Sequence, residues 1–141
     1  MATGLTPDQT QRLQSAATQA KATAYCPYSH FSVGAAVLGT DGNIIPGANV
    51  ENASYPVGSC AERVAVARAV TQGTREFCAL AVASDVSPPA SPCGMCRQFI
   101  REFCSLDMPI LMLGPQDECV VRTLGELLPM SFGPEQLKPT S

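Results

Sequence analysis

The apolar positions Leu13, Ala16, Ala17, Ala20 and Ala24 recur every three or four residues, the spacing of one buried helix face. Thr6-Pro7-Asp8-Gln9 precedes them and starts the helix: Thr6 caps, Pro7 suits the first helical position, and Gln9 completes a capping box. A first helix is therefore predicted to about Ala24, with Pro27 ending it. Beyond it the pattern changes. Phe31 to Leu38 reads as a strand, Thr40-Asp41-Gly42-Asn43 as a tight turn, and Ile44 to about Val50 as the return strand. Gly34, followed by two alanines, predicts a close backbone approach on one face.

Asn52 to Ser59 is polar and carries Gly and Pro, so it reads as a loop. A second helix is predicted from about Cys60 to Gln72, with Val64 and Ala67 toward the core, joined by Val70 and Ala65, and with Gly73 as its stop. Phe77 to Ala83 is a continuous apolar run, the pattern of a central strand covered on both faces. A proline-rich loop, Ser87 to Pro92, leads to a third helix from about Gly94 to Cys104. Ile110 to Leu113 and Cys119 to Arg122 read as a hairpin, and Thr123 caps a short helix, Leu124 to Leu128. The order α-β-β-α-β-α-β-β-α predicts an α/β fold: three layers, α/β/α, around a mixed five-stranded sheet. With 141 residues, no repeat and no linker, the chain is expected to form a single domain over 1–141, with loosely ordered ends at about 1–4 and 134–141.

Composition narrows the function. Hydrophobic residues make up 45% and charged residues 15%, enough apolar surface for a packed core. No run approaches the roughly 18 apolar residues of a membrane span, and the start lacks a basic-then-apolar signal. A soluble, cytoplasmic protein with no membrane partner is the expectation. The net charge is −3 and the nine Lys and Arg residues are scattered, which argues against a nucleic-acid partner, because phosphate binding needs a basic stripe. Seven cysteines without a secretory signal point to metal binding or buried thiols rather than a disulfide framework.

Three of those cysteines stand at helix starts, in Cys60-Ala61-Glu62 and Pro92-Cys93-Gly94-Met95-Cys96. Cysteines three apart at a helix start share a face, so Cys93 and Cys96 can grip one ion, with Cys60 as a third ligand from the neighbouring helix. Helix N-termini also stabilise thiolates. Three protein ligands leave a fourth tetrahedral position open for water, as in a catalytic zinc site. Glu62, two residues from Cys60, points elsewhere on the helix and is better placed beside that water, as a proton carrier, than as a fourth ligand.

The combination of Cys60-x-Glu62 with Pro92-Cys93-x-x-Cys96 resembles the cytidine deaminase superfamily, whose zinc signature is a known pattern. The resemblance covers about Tyr25 to Leu137. Tyr28 to Ala36 looks like the first strand of the small homotetrameric type, Asn49 to Tyr55 like its ribose-binding segment, and Leu127 to Pro134 like its C-terminal segment. It implies a cytidine deaminase-like fold, one Zn²⁺ per subunit held by Cys60, Cys93 and Cys96, and hydrolysis of free cytidine and 2′-deoxycytidine in pyrimidine salvage, Glu62 moving protons from water to N3 and the leaving amine. It further implies that Asn49 and Glu51 bind the sugar hydroxyl, that Phe31 packs against the nucleoside, and that backbone near Ala61 and Ser91 reads the pyrimidine edge. Tyr55 and Phe132 would reach the site of an adjacent subunit, Phe132 stacking on the base. Arg63, and after it Arg97, would compensate the charge of three thiolates on a divalent ion.

Other readings compete. A structural zinc knuckle would recruit Cys104 or Cys78 as a fourth ligand but leaves Glu62 unexplained, and a thioredoxin-like pair at Cys93 and Cys96 leaves Cys60 unexplained. Cys26, Cys78, Cys104 and Cys119 read as small buried hydrophobes, and His30 as a structural residue. Among functions, the rivals are a blasticidin-S-type or other small-nucleoside deaminase, a polynucleotide deaminase, which would need an electropositive groove, and a non-catalytic zinc module.

Overall fold

The structure, a computed structural model, describes residues 2–137. Helix α1 spans Pro7–Ala20, β1 Gly34–Gly39, β2 Ile44–Ala48, α2 Ala61–Thr71, β3 Phe77–Ala83, α3 Gly94–Arg101, β4 Pro109–Leu113, β5 Cys119–Thr123 and α4 Leu124–Leu127. The five strands form one sheet in the order β2-β1-β3-β4-β5. Only β3 and β4 run parallel; the other neighbours are antiparallel, so the sheet is mixed as the element order predicted.

Period-2 alternation divides the sheet between two cores. Val37, Leu80, Val82, Ile110 and Met112 face Val66 of α2 and Ile100 of α3. Ala36, Ala79, Ala81, Ala83 and Leu111 face Leu13 and Ala17 of α1. Helices therefore cover both faces, giving three layers. The alanine-rich face lets α1 lie close: a Cβ on Gly34 would sit 2.1 Å from the Ala17 carbonyl oxygen. On the opposite face Gly47 does the same for α2, where a Cβ would lie 2.4 Å from the Ala65 nitrogen.

Boundaries differ from expectation where tertiary contacts intervene. The α1 capping box at Thr6 and Gln9 forms as predicted, but the helix stops at Ala20 and tightens into a 3-10 turn, Lys21–Thr23. Thr23 Oγ1 donates to the Ala20 carbonyl, and Tyr25 then pairs with the Asn49–Glu51 backbone, which draws the chain out of the helix. Strand β1 starts at Gly34 rather than Phe31, because His30 adopts φ 57° and turns the chain ahead of it. The core face of α2 is Ala65, Val66 and Ala69; Ala67 is exposed and Val64 only partly buried, a correction to the expected face. Its run of small residues has little periodicity, so contact with Gly47 decides which side lies down. Helix α3 ends at Arg101 rather than Cys104. Of the ends expected to be loose, residues 1 and 138–141 lie outside the described residues, while Pro134–Gln136 form a 3-10 turn.

Candidate active site

The N-termini of α2 and α3 meet on one side of the sheet. Cys60 is the N-cap of α2 and Cys93 the N-cap of α3, both with extended backbone, and neither side chain makes a capping hydrogen bond. A Ser or Asp at either cap would stabilise its helix by about 1 kcal/mol relative to a residue that cannot cap. The chain places a sulfur there instead. Cys96, in the first turn of α3, is buried. The three Sγ atoms lie within 4.8 Å of one another, and those of Cys60 and Cys93 are 3.9 Å apart.

That spacing suits zinc. Four ligands at tetrahedral angles and a zinc–sulfur bond of about 2.3 Å put sulfur atoms about 3.8 Å apart. The donor set is soft thiolate, which selects zinc over magnesium or calcium. Among the described residues the group has three members; Cys104 is packed in the core beside Ile100, where burial pushes its thiol up to about 12, and neither it nor Cys78 joins the trio. This removes the ligand the knuckle reading required.

The thiols and Arg63 act on one another electrostatically. Cys60 is lowered to about 6, chiefly by the hydrogen bond from the Cys96 thiol, then by Cys93 and the positive charge of Arg63, against the effect of burial. Cys96 is raised, because it gives that hydrogen bond and is itself buried. Arg63 donates from Nη2 to the Gly58 carbonyl at 3.0 Å, whereas its Nη1 is buried without a protein partner. A buried donor beside thiols fits a site whose full complement carries negative charge: three thiolates on a divalent ion sum to −1. Arg97 is differently committed. Its Nε donates to the Pro92 carbonyl, Nη1 to the Leu127 carbonyl and Nη2 to Ser91 Oγ, at 2.7, 2.6 and 2.9 Å, which ties down the loop entering Cys93.

Glu62 is 5% exposed at the start of α2. Burial raises its carboxyl above the ordinary value, with the Cys60 charge adding to the rise; its own backbone N–H, the Cys96 thiol and Arg63 pull the other way. A carboxyl raised by burial holds a proton more readily than an exposed one, which suits a proton carrier.

Comparison with known proteins decides the family. A family model described as "Cytidine and deoxycytidylate deaminase zinc-binding region" matches residues 7–112. The chain belongs to the cytidine and deoxycytidylate deaminase family. Among its relatives, the cytidine deaminase of Sporosarcina psychrophila is 45% identical over 127 residues, covering 90% of this chain and 93% of the relative. That of Mycobacterium tuberculosis is 42% identical over 126 residues, covering 89% and 90%. The crystal structure of the Burkholderia pseudomallei cytidine deaminase superposes with a TM-score of 0.85 at 41% identity, covering 91% of this chain and all of that one.

In this family member a cleft of about 410 Å³ runs from Cys60 along Tyr28, Ser29, Asn49, Glu51 and Tyr55. Asn49 holds the segment leading into β1: its Oδ1 accepts from the Val33 nitrogen and its Nδ2 donates to the Phe31 carbonyl, both at 2.9 Å. Glu51 accepts from the Tyr28 and Ser29 backbone and from the Ser29 hydroxyl, and this last bond leads the causes that hold its carboxyl below the ordinary value. Both side chains thus line the cleft and shape it. Tyr55 lies against Tyr28 with ring centroids 5.8 Å apart. Ala61 is buried at the first turn of α2, Ser91 is exposed, and Phe31 is 38% exposed. Phe132 is 57% exposed, and the cleft lining does not include it. Sequence reasoning missed Ser29, whose hydroxyl links Glu51 to the turn before Phe31. An isolated serine has no pattern to mark it.

Proposed function

We propose that this chain hydrolyses the 4-amino group of free cytidine and 2′-deoxycytidine to give uridine or 2′-deoxyuridine and ammonia, as a cytoplasmic enzyme of pyrimidine salvage. The observation that carries this is the trio of thiols beside a buried Glu62, in a chain whose relatives are named cytidine deaminases. Those names favour cytidine over the blasticidin-S-type alternative.

Cys60, Cys93 and Cys96 would hold one Zn²⁺, which when bound lowers the pKa of a water in its open position. Glu62 takes one proton from the attacking water and gives it to N3 of the pyrimidine; once the oxygen has added at C4, it takes the remaining proton from that hydroxyl and gives it to the departing amine as the C4–N bond breaks. Its burial beside the thiols keeps competing solvent away from this transfer. Arg63 offsets the charge of the thiolates, with Arg97 supporting the loop that carries Cys93.

The cleft fits a neutral nucleoside. Glu51 is among its lining residues and no Lys or Arg is, so a 5′-phosphate would meet negative charge and no cation. Asn49 and Glu51 would bind the sugar hydroxyl with the hydrogen-bonding capacity their loop contacts leave. Phe31 would flank the nucleoside, and backbone near Ala61 and Ser91 would read the base. Tyr55 and Phe132 are large aromatic groups 74% and 57% exposed in one chain, which suits a homotetramer in which they complete a neighbour's site.

The direct test follows loss of cytidine absorbance with purified protein. Turnover should vanish with a zinc chelator and return with zinc. Glu62→Gln should lower kcat at least about a hundredfold while zinc content stays at one per chain. Full turnover by that variant, or by metal-free protein, would refute the assignment.

A further inference from the structure

Arg101 is buried, an unusual place for a guanidinium, and it does not contribute to the zinc or nucleoside residues described above. Its Nε donates to Ser131 Oγ at 2.8 Å and its Nη2 pairs with the Glu135 carboxylate. Between those partners Gly133 packs flat on the same group: a Cβ there would lie 2.3 Å from the Arg101 Cζ. Gly133 has φ −147°, extended backbone open to any residue, so its lack of a side chain answers to this contact and not to conformation. One turn earlier on α3, Gln98 donates to the Phe132 carbonyl at 3.0 Å.

Phe132 therefore has its own carbonyl and both its chain neighbours fixed on α3, while its ring is largely exposed. A hydrophobic residue at 101 would fill the core as well, since an arginine there carries a desolvation penalty that only its partners offset. What the guanidinium adds is geometric: a planar, multi-donor group fixes backbone direction in a way that an aliphatic chain does not.

We propose that Arg101 is a positioning residue for the deamination reaction, holding the 128–136 segment on α3 so that Phe132 is presented, ordered, to the pyrimidine. This rests on the reading of Phe132 as the stacking residue. An aromatic ring already fixed in place loses little freedom when substrate arrives, so loss of the anchor should appear mainly in KM.

The test compares Phe132→Ala, Arg101→Met and Gly133→Ala in the zinc-loaded full chain, by cytidine kinetics and by hydrogen exchange over residues 128–137. Loss of an aromatic stack should raise KM about tenfold. Arg101→Met should raise it comparably, with kcat within about twofold of wild type, and should add little to Phe132→Ala in the double variant. Exchange should rise over 128–137 and not at the starts of α2 and α3. Should Arg101→Met fold poorly, Gly133→Ala tests the same contact from the other side and should raise KM and local exchange in the same way; where Arg101→Met does fold, adding Gly133→Ala to it should have little further effect. The proposal is overturned if Phe132→Ala raises KM and neither anchor variant does, or if the effects on KM multiply in full. If Phe132→Ala itself leaves KM unchanged, the stacking reading falls and takes the positioning role with it.

Discussion

At the scale of single residues, the site is assembled from side chains whose placement runs against local stability. Cys60 and Cys93 occupy cap positions that favour oxygen-bearing residues, and Glu62 is a carboxyl inside the protein. Arg63 is the residue that most directly answers the resulting charge, since its positive field lowers both Cys60 and Glu62. Arg63→Ala should therefore lower kcat or zinc affinity by roughly tenfold, the equivalent of one pKa unit of lost charge stabilisation. Kinetics and metal analysis on the same preparation check this, and wild-type values in both would remove Arg63 from the mechanism.

At the scale of elements, two glycines report which contacts carry the site. Gly34 lies against α1 and Gly47 against α2. Alanine at either should cost about 1–3 kcal/mol by overpacking, read as a lower Tm. Only Gly47→Ala should also weaken zinc binding, because the backbone of Ala61 and Ala65 must move and Cys60 and Glu62 move with it. A chelator competition on both variants separates the two faces. The caps make a pH prediction as well. Glu126 in the α4 capping box is held below its ordinary carboxylate value, first by the Thr123 backbone N–H. Folding thus favours its ionised form, so its contribution is present above the unfolded carboxylate pKa and is lost as pH falls through the lowered folded value. Glu126→Gln should melt below wild type at neutral pH, and the gap should close in acid; melting curves across that range measure it.

At the scale of the whole molecule, the exposed side chains include Tyr25, Tyr28, Val50, Tyr55, Val57, Met130 and Phe132, all outside the strands and α-helices, with Tyr55 and Val57 in a 3-10 turn. Such apolar surface is what an association interface needs. Sedimentation should give the mass of four chains, and activity per chain should fall on dilution into the dissociation range. A fully active monomer would refute the shared-site reading.

Much of this was legible in one dimension. Apolar patterning, apolar runs and turn or cap residues marked the five strands and four α-helices of the described residues, since those signals follow from backbone geometry that neighbours along the chain determine by themselves; the short 3-10 turns carried no such signal. The candidate metal site was legible because Cys60, Cys93 and Cys96 all fall at helix starts, and Glu62 as its candidate proton carrier because it lies two residues from Cys60. The contacts that join distant segments were not. That Ala65 and Val66 of α2 lie down and Ala67 does not, that His30 delays β1, and that Arg101 holds the segment around Phe132 are settled by residues remote in sequence meeting in space. Spacing along a chain encodes local direction; which surfaces touch depends on packing many elements at once, and only the tertiary structure decides it.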